Sequence, residues 1–268
     1  MRLKAIRRTA VRSALRSGVV LGLGALSLSA CDAAAPPDPI IFQVVRTLPH
    51  DTTAYTQGLL FHEGLLYEST GRYGESTVRT VDPADGTVVR AVPLDSAYFG
   101  EGLARVGDRL IQLTWKEGTA RVLDLATLDS IGAFTYGGEG WGLCYDGTGL
   151  WMSDGTSRLT RRDAETFAVQ QTLDVTVDGV GVYSLNELEC VEGAVWANVY
   201  QRNEIVRVDP ATGAVTGVLD ASGLTRDAGR AGDLEAVLNG IAWNPRTRTF
   251  FVTGKWWSTM YEIAIDGM

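Results

Sequence analysis

Histidine is nearly absent from this 268-residue chain: there are two, His50 and His62, beside three cysteines, Cys31, Cys144 and Cys190. That count excludes a His-rich zinc centre and leaves a Ser-His-Asp triad little to work with. Long apolar runs are missing too. The nearest approach to one, residues 18–28, is too short to cross a bilayer. Basic charge is scarce outside the first 30 residues. Six of the 24 Lys+Arg lie there (Arg2, Lys4, Arg7, Arg8, Arg12 and Arg16) with no acid among them, so the rest of the chain holds 18 basic against 32 acidic residues, a net charge of −14. Such a chain lacks the basic face that a nucleic-acid partner needs. Sustained helical periodicity is also absent.

The basic start, the short apolar stretch and Leu28-Ser29-Ala30-Cys31 read as a secretory leader over residues 1–30. Its last four residues resemble a bacterial lipoprotein signal, with Cys31 as the lipidated first residue. A lipid there would tether the protein to a membrane that its fold does not span. The expected location is the cell envelope, facing the periplasm, at the inner or outer membrane. Residues 31–39, rich in Ala and Pro, read as a short stiff tether. The periplasm permits a Cys144–Cys190 disulfide, and two buried thiols fit equally well.

From residue 40 the texture is β: short apolar-polar alternations bounded by Gly, Asp and Pro. Units of four strands recur about every 45 residues, the size of a propeller blade. Each opens on a short motif: Gln57-Gly58-Leu59, Glu101-Gly102-Leu103, Trp141-Gly142-Leu143, Asn186-Glu187-Leu188 and Asn239-Gly240-Ile241. An Asp returns at the end of the third strand (Asp82, Asp124, Asp163, Asp209). The fifth unit lacks its outer strand, and the unassigned strand at 40–48 can fill that place. The predicted fold is all-β, a five-bladed β-propeller over residues 40–268, its ring closed by an N-terminal strand. A pair of β-sandwiches is the alternative.

Superposing the units writes two inner rings. The first holds Gln57, Glu101, Trp141, Asn186 with Glu187, and Asn239; the second holds Glu68, Trp115, Asp154, Asn198 and Lys255, with Trp196 close by. Polar groups converging on an aromatic-lined axis describe a ligand site. Glu101, between Gly100 and Gly102, is the expected proton-transfer group. Each ring residue also has a plainer use: turns for Asp154 and Asn186, core for the tryptophans, solvent for Lys255.

Several motifs, in order, resemble the glutaminyl-peptide cyclotransferases of plant and bacterial type. They include Tyr55-Thr-Gln-Gly-Leu, Tyr67-Glu-Ser-Thr-Gly, Tyr98-Phe-Gly-Glu-Gly-Leu, Gly140-Trp-Gly-Leu, Leu185-Asn-Glu-Leu-Glu, Val195-Trp-Ala-Asn, Leu238-Asn-Gly-Ile-Ala-Trp and Val252-Thr-Gly-Lys. Tyr55 stands where Phe is more usual, and Arg72 interrupts a Gly-Leu-Tyr-Gly form. The resemblance implies a five-bladed propeller that turns an N-terminal glutamine into pyroglutamate and needs neither metal nor cofactor. It implies Glu101 as the catalytic acid/base, with Gln57, Trp115, Trp141, Asn186, Trp196 and Lys255 lining the substrate. Lys255 and Asn186 would donate to the oxyanion. Two other classes compete. A lactonase-like propeller would hold a metal on Glu101, Asn186, Asn239 and Glu187, and a non-catalytic envelope propeller would only bind peptides.

Overall fold

A computed structural model describes residues 36–228 and 232–268. Four-stranded antiparallel sheets form five blades of a propeller. Blade 1 runs Thr56–His62, Leu65–Thr70, Thr77–Val81, Val88–Pro93. Blade 2 runs Gly100–Val106, Arg109–Thr114, Thr119–Asp124, Ser130–Thr135. Blade 3 runs Leu143–Tyr145, Leu150–Ser153, Arg158–Arg162, Val169–Asp174. Blade 4 runs Leu185–Val191, Ala194–Val199, Glu204–Val208, Val215–Asp220. Blade 5 has Leu238–Asn244, Thr249–Gly254 and Thr259–Ile265 from the C-terminal end of the chain. Its outer strand is Phe42–Pro49, in antiparallel register with Phe42 opposite Ile265 and Pro49 opposite Thr259. The N-terminal strand thus closes the ring as expected, two residues later than the sequence suggested.

One pairing was not expected. Asp38–Pro39, read as tether, adds a parallel strand to the edge of blade 4, opposite Gly217 and Val218. Gly217 matters here, because a Cβ on it would stand 2.7 Å from the Cδ1 of Ile40. The same segment therefore covers the edge of blade 4 and completes blade 5, so two neighbouring sheets lose an exposed edge together. The linker 222–238 carries a seven-residue helix, Ser222–Ala228, which the sequence pattern did not announce. Residues 1–30 and Cys31 lie outside the described residues.

The core is divided between the blades. Leu60, Tyr67 and Val78 of blade 1 face Leu103, Leu110 and Leu123 of blade 2. Leu113 packs with Leu150 and Phe167 between blades 2 and 3, Trp151 with Val195 between 3 and 4, Trp196 with Phe250 between 4 and 5, and Phe251 with Leu59 between 5 and 1. Outer strands bury little; Val88–Pro93 and Ser130–Thr135 are exposed along most of their length. The returning Asp forms a turn to each outer strand. Asp82, Asp124, Asp163 and Asp209 each accept a backbone N–H two residues on. The residue four on takes positive φ: Gly86, Leu128, Phe167 and Gly213. Leu128 and Phe167 bear that conformation because their side chains are anchored in the core, 0% and 2% exposed.

The innermost strands meet at the axis through their opening motifs. A Cβ on Gly58 would lie 2.5 Å from the Leu103 nitrogen, and one on Gly102 2.5 Å from the Leu143 nitrogen. One on Gly142 would collide with the Asn186 carbonyl oxygen. Only glycine permits these contacts. Blade 4 has Glu187 at the equivalent place. Its side chain, 0% exposed, accepts from the Leu59 N–H of blade 1 at 3.2 Å and the Ile241 N–H of blade 5 at 2.8 Å. One carboxyl group thus occupies room that the glycines leave and ties three blades together.

Cys144 and Cys190 form a disulfide between the innermost strands of blades 3 and 4. The cross-link closes a 46-residue separation. Replacing both cysteines by alanine is expected to lower unfolding stability by about 2–4 kcal/mol. Urea midpoints of the oxidised protein and the double variant measure this; coincident curves would show that the ring needs no cross-link.

Candidate active site

The chain turns sharply wherever it enters an innermost strand. In four blades the register slips there, between Thr56 and Gly58, Gly100 and Leu103, Leu185 and Leu188, and Leu238 and Ile241. Such bulges re-aim a side chain that regular pleating would hold against a neighbouring sheet. The displaced residues include Gln57, Glu101, Asn186 and Asn239. The second strand of each blade ends at the same end of the axis, where Trp115, Tyr200 and Lys255 follow Thr114, Val199 and Gly254. These two sets of strand ends enclose a cavity of about 310 Å³, lined by Gln57, Glu101, Trp115, Trp141, Asn186 and Lys255 together with Tyr55, Phe99, Tyr200 and Glu235.

Glu101 is 4% exposed. Gln57 Nε2 donates to its Oε1 at 2.8 Å. Gln57 is itself oriented by Asn239, whose Nδ2 donates to Gln57 Oε1 at 3.1 Å and to the Thr56 carbonyl at 2.9 Å. Loss of water raises the Glu101 pKa well above the ordinary carboxylate value; the Lys255 charge opposes that shift, and Glu139 and Glu117 add to it. Lys255 is 3% exposed. Its ammonium lies 4.4 Å from the Tyr55 ring centre and 4.8 Å from that of Tyr200, an arrangement that supports a buried cation. Desolvation nevertheless lowers its pKa to about 8, against the pull of Glu101 and Glu235. The cavity therefore holds an acid and a base whose pKa values burial has moved towards neutrality from opposite sides. Asn186 Oδ1 is buried there without a protein partner.

Three carboxylates fix the aromatic walls. Glu139 Oε2 accepts from the indoles of both Trp115 (2.7 Å) and Trp141 (2.9 Å). Glu235 Oε2 accepts from both Tyr55 and Tyr200 hydroxyls, each at 2.7 Å. Glu117 accepts from Tyr73 OH at 2.8 Å and the Phe99 N–H at 3.4 Å. The Trp141 ring also rests on Gly155, where a Cβ would come within 2.6 Å of it.

Trp196 does not join the cavity. It is the third residue of its strand, so its ring is carried down from the mouth and packs on Phe250, centroids 5.0 Å apart, in the layer between blades 4 and 5. Tyr200, just past the strand, stands at the rim instead. Three other ring members also serve structure. Glu68, fully buried, receives Arg79 Nε (2.8 Å), Thr56 Oγ1 (2.6 Å) and the His50 ring (3.0 Å). Asp154 Oδ1 accepts from the Thr156 N–H in a turn. Asn198 Oδ1 accepts from the Gly240 N–H. Of the lactonase-like ligand set, both Glu187 oxygens already accept backbone N–H groups, while Asn239 gives its amide nitrogen to Gln57 and Thr56 and keeps Oδ1 without a protein partner. Among the described residues no group of three or more His, Cys, Asp or Glu side chains converges to hold a metal. Tyr55, Phe99, Tyr200 and Glu235 were not among the expected lining residues. The first two stand inside motifs already singled out, whereas Glu235 sits in an irregular linker without periodic signal.

A profile of the family described as glutamine cyclotransferase matches residues 19–265. The chain is 43% identical over 226 residues to a glutaminyl-peptide cyclotransferase of Arabidopsis thaliana, covering 83% of this chain and 71% of the relative. The crystal structure of Myxococcus xanthus glutaminyl cyclase superposes with a TM-score of 0.80 at 40% identity, covering 86% of this chain and 98% of that one. Over nearly its whole described length, this chain belongs to the glutamine cyclotransferase family of enzymes.

Proposed function

We propose that this chain converts the N-terminal glutamine of peptides to pyroglutamate with release of ammonia, and that Glu101 moves the proton. The observation that carries the reading is a single buried carboxyl group, held by Gln57 and shielded from water by aromatic walls, in a cavity that also holds an ammonium. The reaction is intramolecular. The α-amine nitrogen bonds to the side-chain amide carbon, and the bond from that carbon to the amide nitrogen breaks. The cavity has to curl the residue over and manage protons. Ionised Glu101 takes a proton from the attacking amine and returns it to the departing nitrogen, which leaves as ammonia. Gln57, donating to one oxygen, leaves the other to face the substrate.

The amide oxygen becomes negative midway. Lys255, charged and desolvated, stabilises it more than it could in water. Asn186 offers an unpaired acceptor, Oδ1, which suits an N–H of the substrate amine or amide better than the oxyanion first expected of it. Glu101→Gln keeps the shape and loses the proton carrier, so turnover of a Gln-initiated dipeptide should fall on the order of a hundredfold or more. Ammonia release, followed with and without EDTA, reads this. Near-normal rates in the variant, or wild-type loss under EDTA restored by a divalent ion, would overturn the scheme.

The pH dependence has a definite sign. The substrate amine must be neutral and Glu101 ionised, so kcat/KM rises as pH passes the amine's pKa of about 7.7–8.0 and the raised pKa of Glu101. Lys255 is charged below about 8 and loses its charge above it, so the same profile falls on the alkaline side. The outcome is a narrow bell. Lys255→Arg, whose guanidinium stays protonated, should carry the alkaline fall upward by more than a pH unit or remove it. An alkaline limb unmoved in that variant would assign it to another group.

The lipid anchor rests on the Leu28-Ser29-Ala30-Cys31 pattern. No helix among the described residues is long and apolar enough to cross a membrane. In a bacterial host, Cys31→Ala is expected to shift activity from the membrane pellet to the soluble fraction, with loss of labelled fatty acid from the protein. Unchanged fractionation would dismiss the anchor.

A further inference from the structure

A second cavity of about 400 Å³ adjoins the first and shares Tyr55, Phe99, Trp115 and Glu235 with it. Its own walls are Arg72, Tyr73 and Trp256. We propose that this outer cavity is the subsite for the second residue of the substrate and that it selects an aromatic side chain there. The inference rests on the reading of the inner cavity as the glutamine site. With that glutamine's amide carbon at Glu101, the peptide leaves past Phe99 and Trp115, and these rings form the boundary between the two cavities.

The outer walls are flat, aromatic and held. The Tyr73 and Phe99 rings lie 5.4 Å apart at 74°, and Phe99 and Trp115 5.5 Å apart at 58°. The Arg72 guanidinium lies 5.3 Å from the Trp256 ring centre, making a planar face from a cation and an indole. Both residues take positive φ, 103° for Arg72 and 58° for Trp256, which side-chain-bearing residues rarely do. Neighbouring bonds impose these conformations. The Trp256 N–H donates to the Ala54 carbonyl at 2.6 Å. The Arg72 carbonyl accepts from both the N–H (2.9 Å) and the hydroxyl (2.7 Å) of Ser76. Ser76 Oγ in turn accepts from the Gly100 N–H at 3.0 Å, one residue before Glu101. The outer wall is thus tied to the backbone that carries the inner carboxyl.

Charge gives the cavity little means of choosing. It has one guanidinium, which also faces Glu75 at 3.3 Å, and one carboxylate, Glu235, already accepting from two tyrosines. Ring area and edge-to-face packing remain as the basis for selection.

The test compares kcat/KM of the full chain on Gln-Phe-amide, Gln-Gly-amide, Gln-Glu-amide and Gln-Lys-amide. Burying one aromatic side chain predicts a Phe-to-Gly ratio of about tenfold or more. Arg72→Ala and Tyr73→Ala should each shrink that ratio at least about threefold, since each removes a face the ring would pack on. The ratio is unaffected by partial misfolding or slower proton transfer, which both peptides share. A wild-type ratio near one, faster turnover of the Glu or Lys peptide than the Phe peptide, or an unchanged ratio in both variants overturns the subsite. Turnover of no peptide at all instead defeats the reading of the inner cavity, and the subsite falls with it.

Discussion

Backbone packed on backbone at the axis is the constraint on which the rest depends. Five sheets can converge only if their innermost strands approach more closely than side chains allow, and Gly58, Gly102 and Gly142 provide that approach. The room they leave at the centre is filled by the one residue of the set that has a side chain, Glu187. Its carboxyl group accepts from the backbone of two other blades. Burial raises its pKa well above the usual range, with the nearby Glu189 charge adding to the shift and the two N–H groups opposing it. It is the ring's internal fastener.

The same close approach makes the site. A strand that must bulge beside its glycine turns the adjacent residue out of the inter-blade layer and up to the mouth of the axis. Gln57 and Glu101 are therefore aimed by the feature that lets the blades pack, and Asn186 is displaced by the same register slip beside Glu187. Glu101 consequently sits where water is scarce and its neighbours are rigid. A surface loop could present a carboxylate, but could not keep its pKa raised, because a mobile loop admits water. Placing Glu101 on an innermost strand and Trp115 and Tyr200 at the surrounding strand ends separates two environments, a dry one for the carboxyl group and an accessible one for the rings.

Much of this was legible in the sequence because propeller blades repeat. Strand number, the closing N-terminal strand and the ring of opening motifs all follow from a unit that recurs, and a repeat lets weak local signals add. Glu101, Gln57, Trp115, Trp141, Asn186 and Lys255 meet in one cavity because they occupy equivalent strand ends. Trp196 shows where this reasoning fails. Aligned motifs give a residue's place along a strand only roughly, and four positions along the chain separate the interior ring of Trp196 from the rim ring of Tyr200. Glu68 fails differently. Its acid was visible, but its partners, Arg79 on the third strand of the blade and His50 just past the strand that ends at Pro49, lie elsewhere in the chain, so nothing local marked it as a structural ion pair. Glu235 comes from a linker outside the repeat and had no counterpart to be read against.

The carboxylates at the mouth follow from the walls they hold. An aromatic cavity excludes water only while its rings stay upright, and exposed indoles and phenols would otherwise turn their polar ends towards solvent. Glu139 binds two indoles, Glu235 two phenols, and Glu117 a phenol and the Phe99 N–H. Each carboxylate thus converts a polar edge that would loosen the wall into an anchor for it. Their negative charge acts inward as well. Glu139 and Glu117 raise the pKa of Glu101, and Glu235 helps keep Lys255 protonated against the desolvation that lowers it. The rim that shapes the cavity therefore also biases the two ionisations that burial sets inside it, so a change to a wall residue's anchor reaches Glu101 and Lys255.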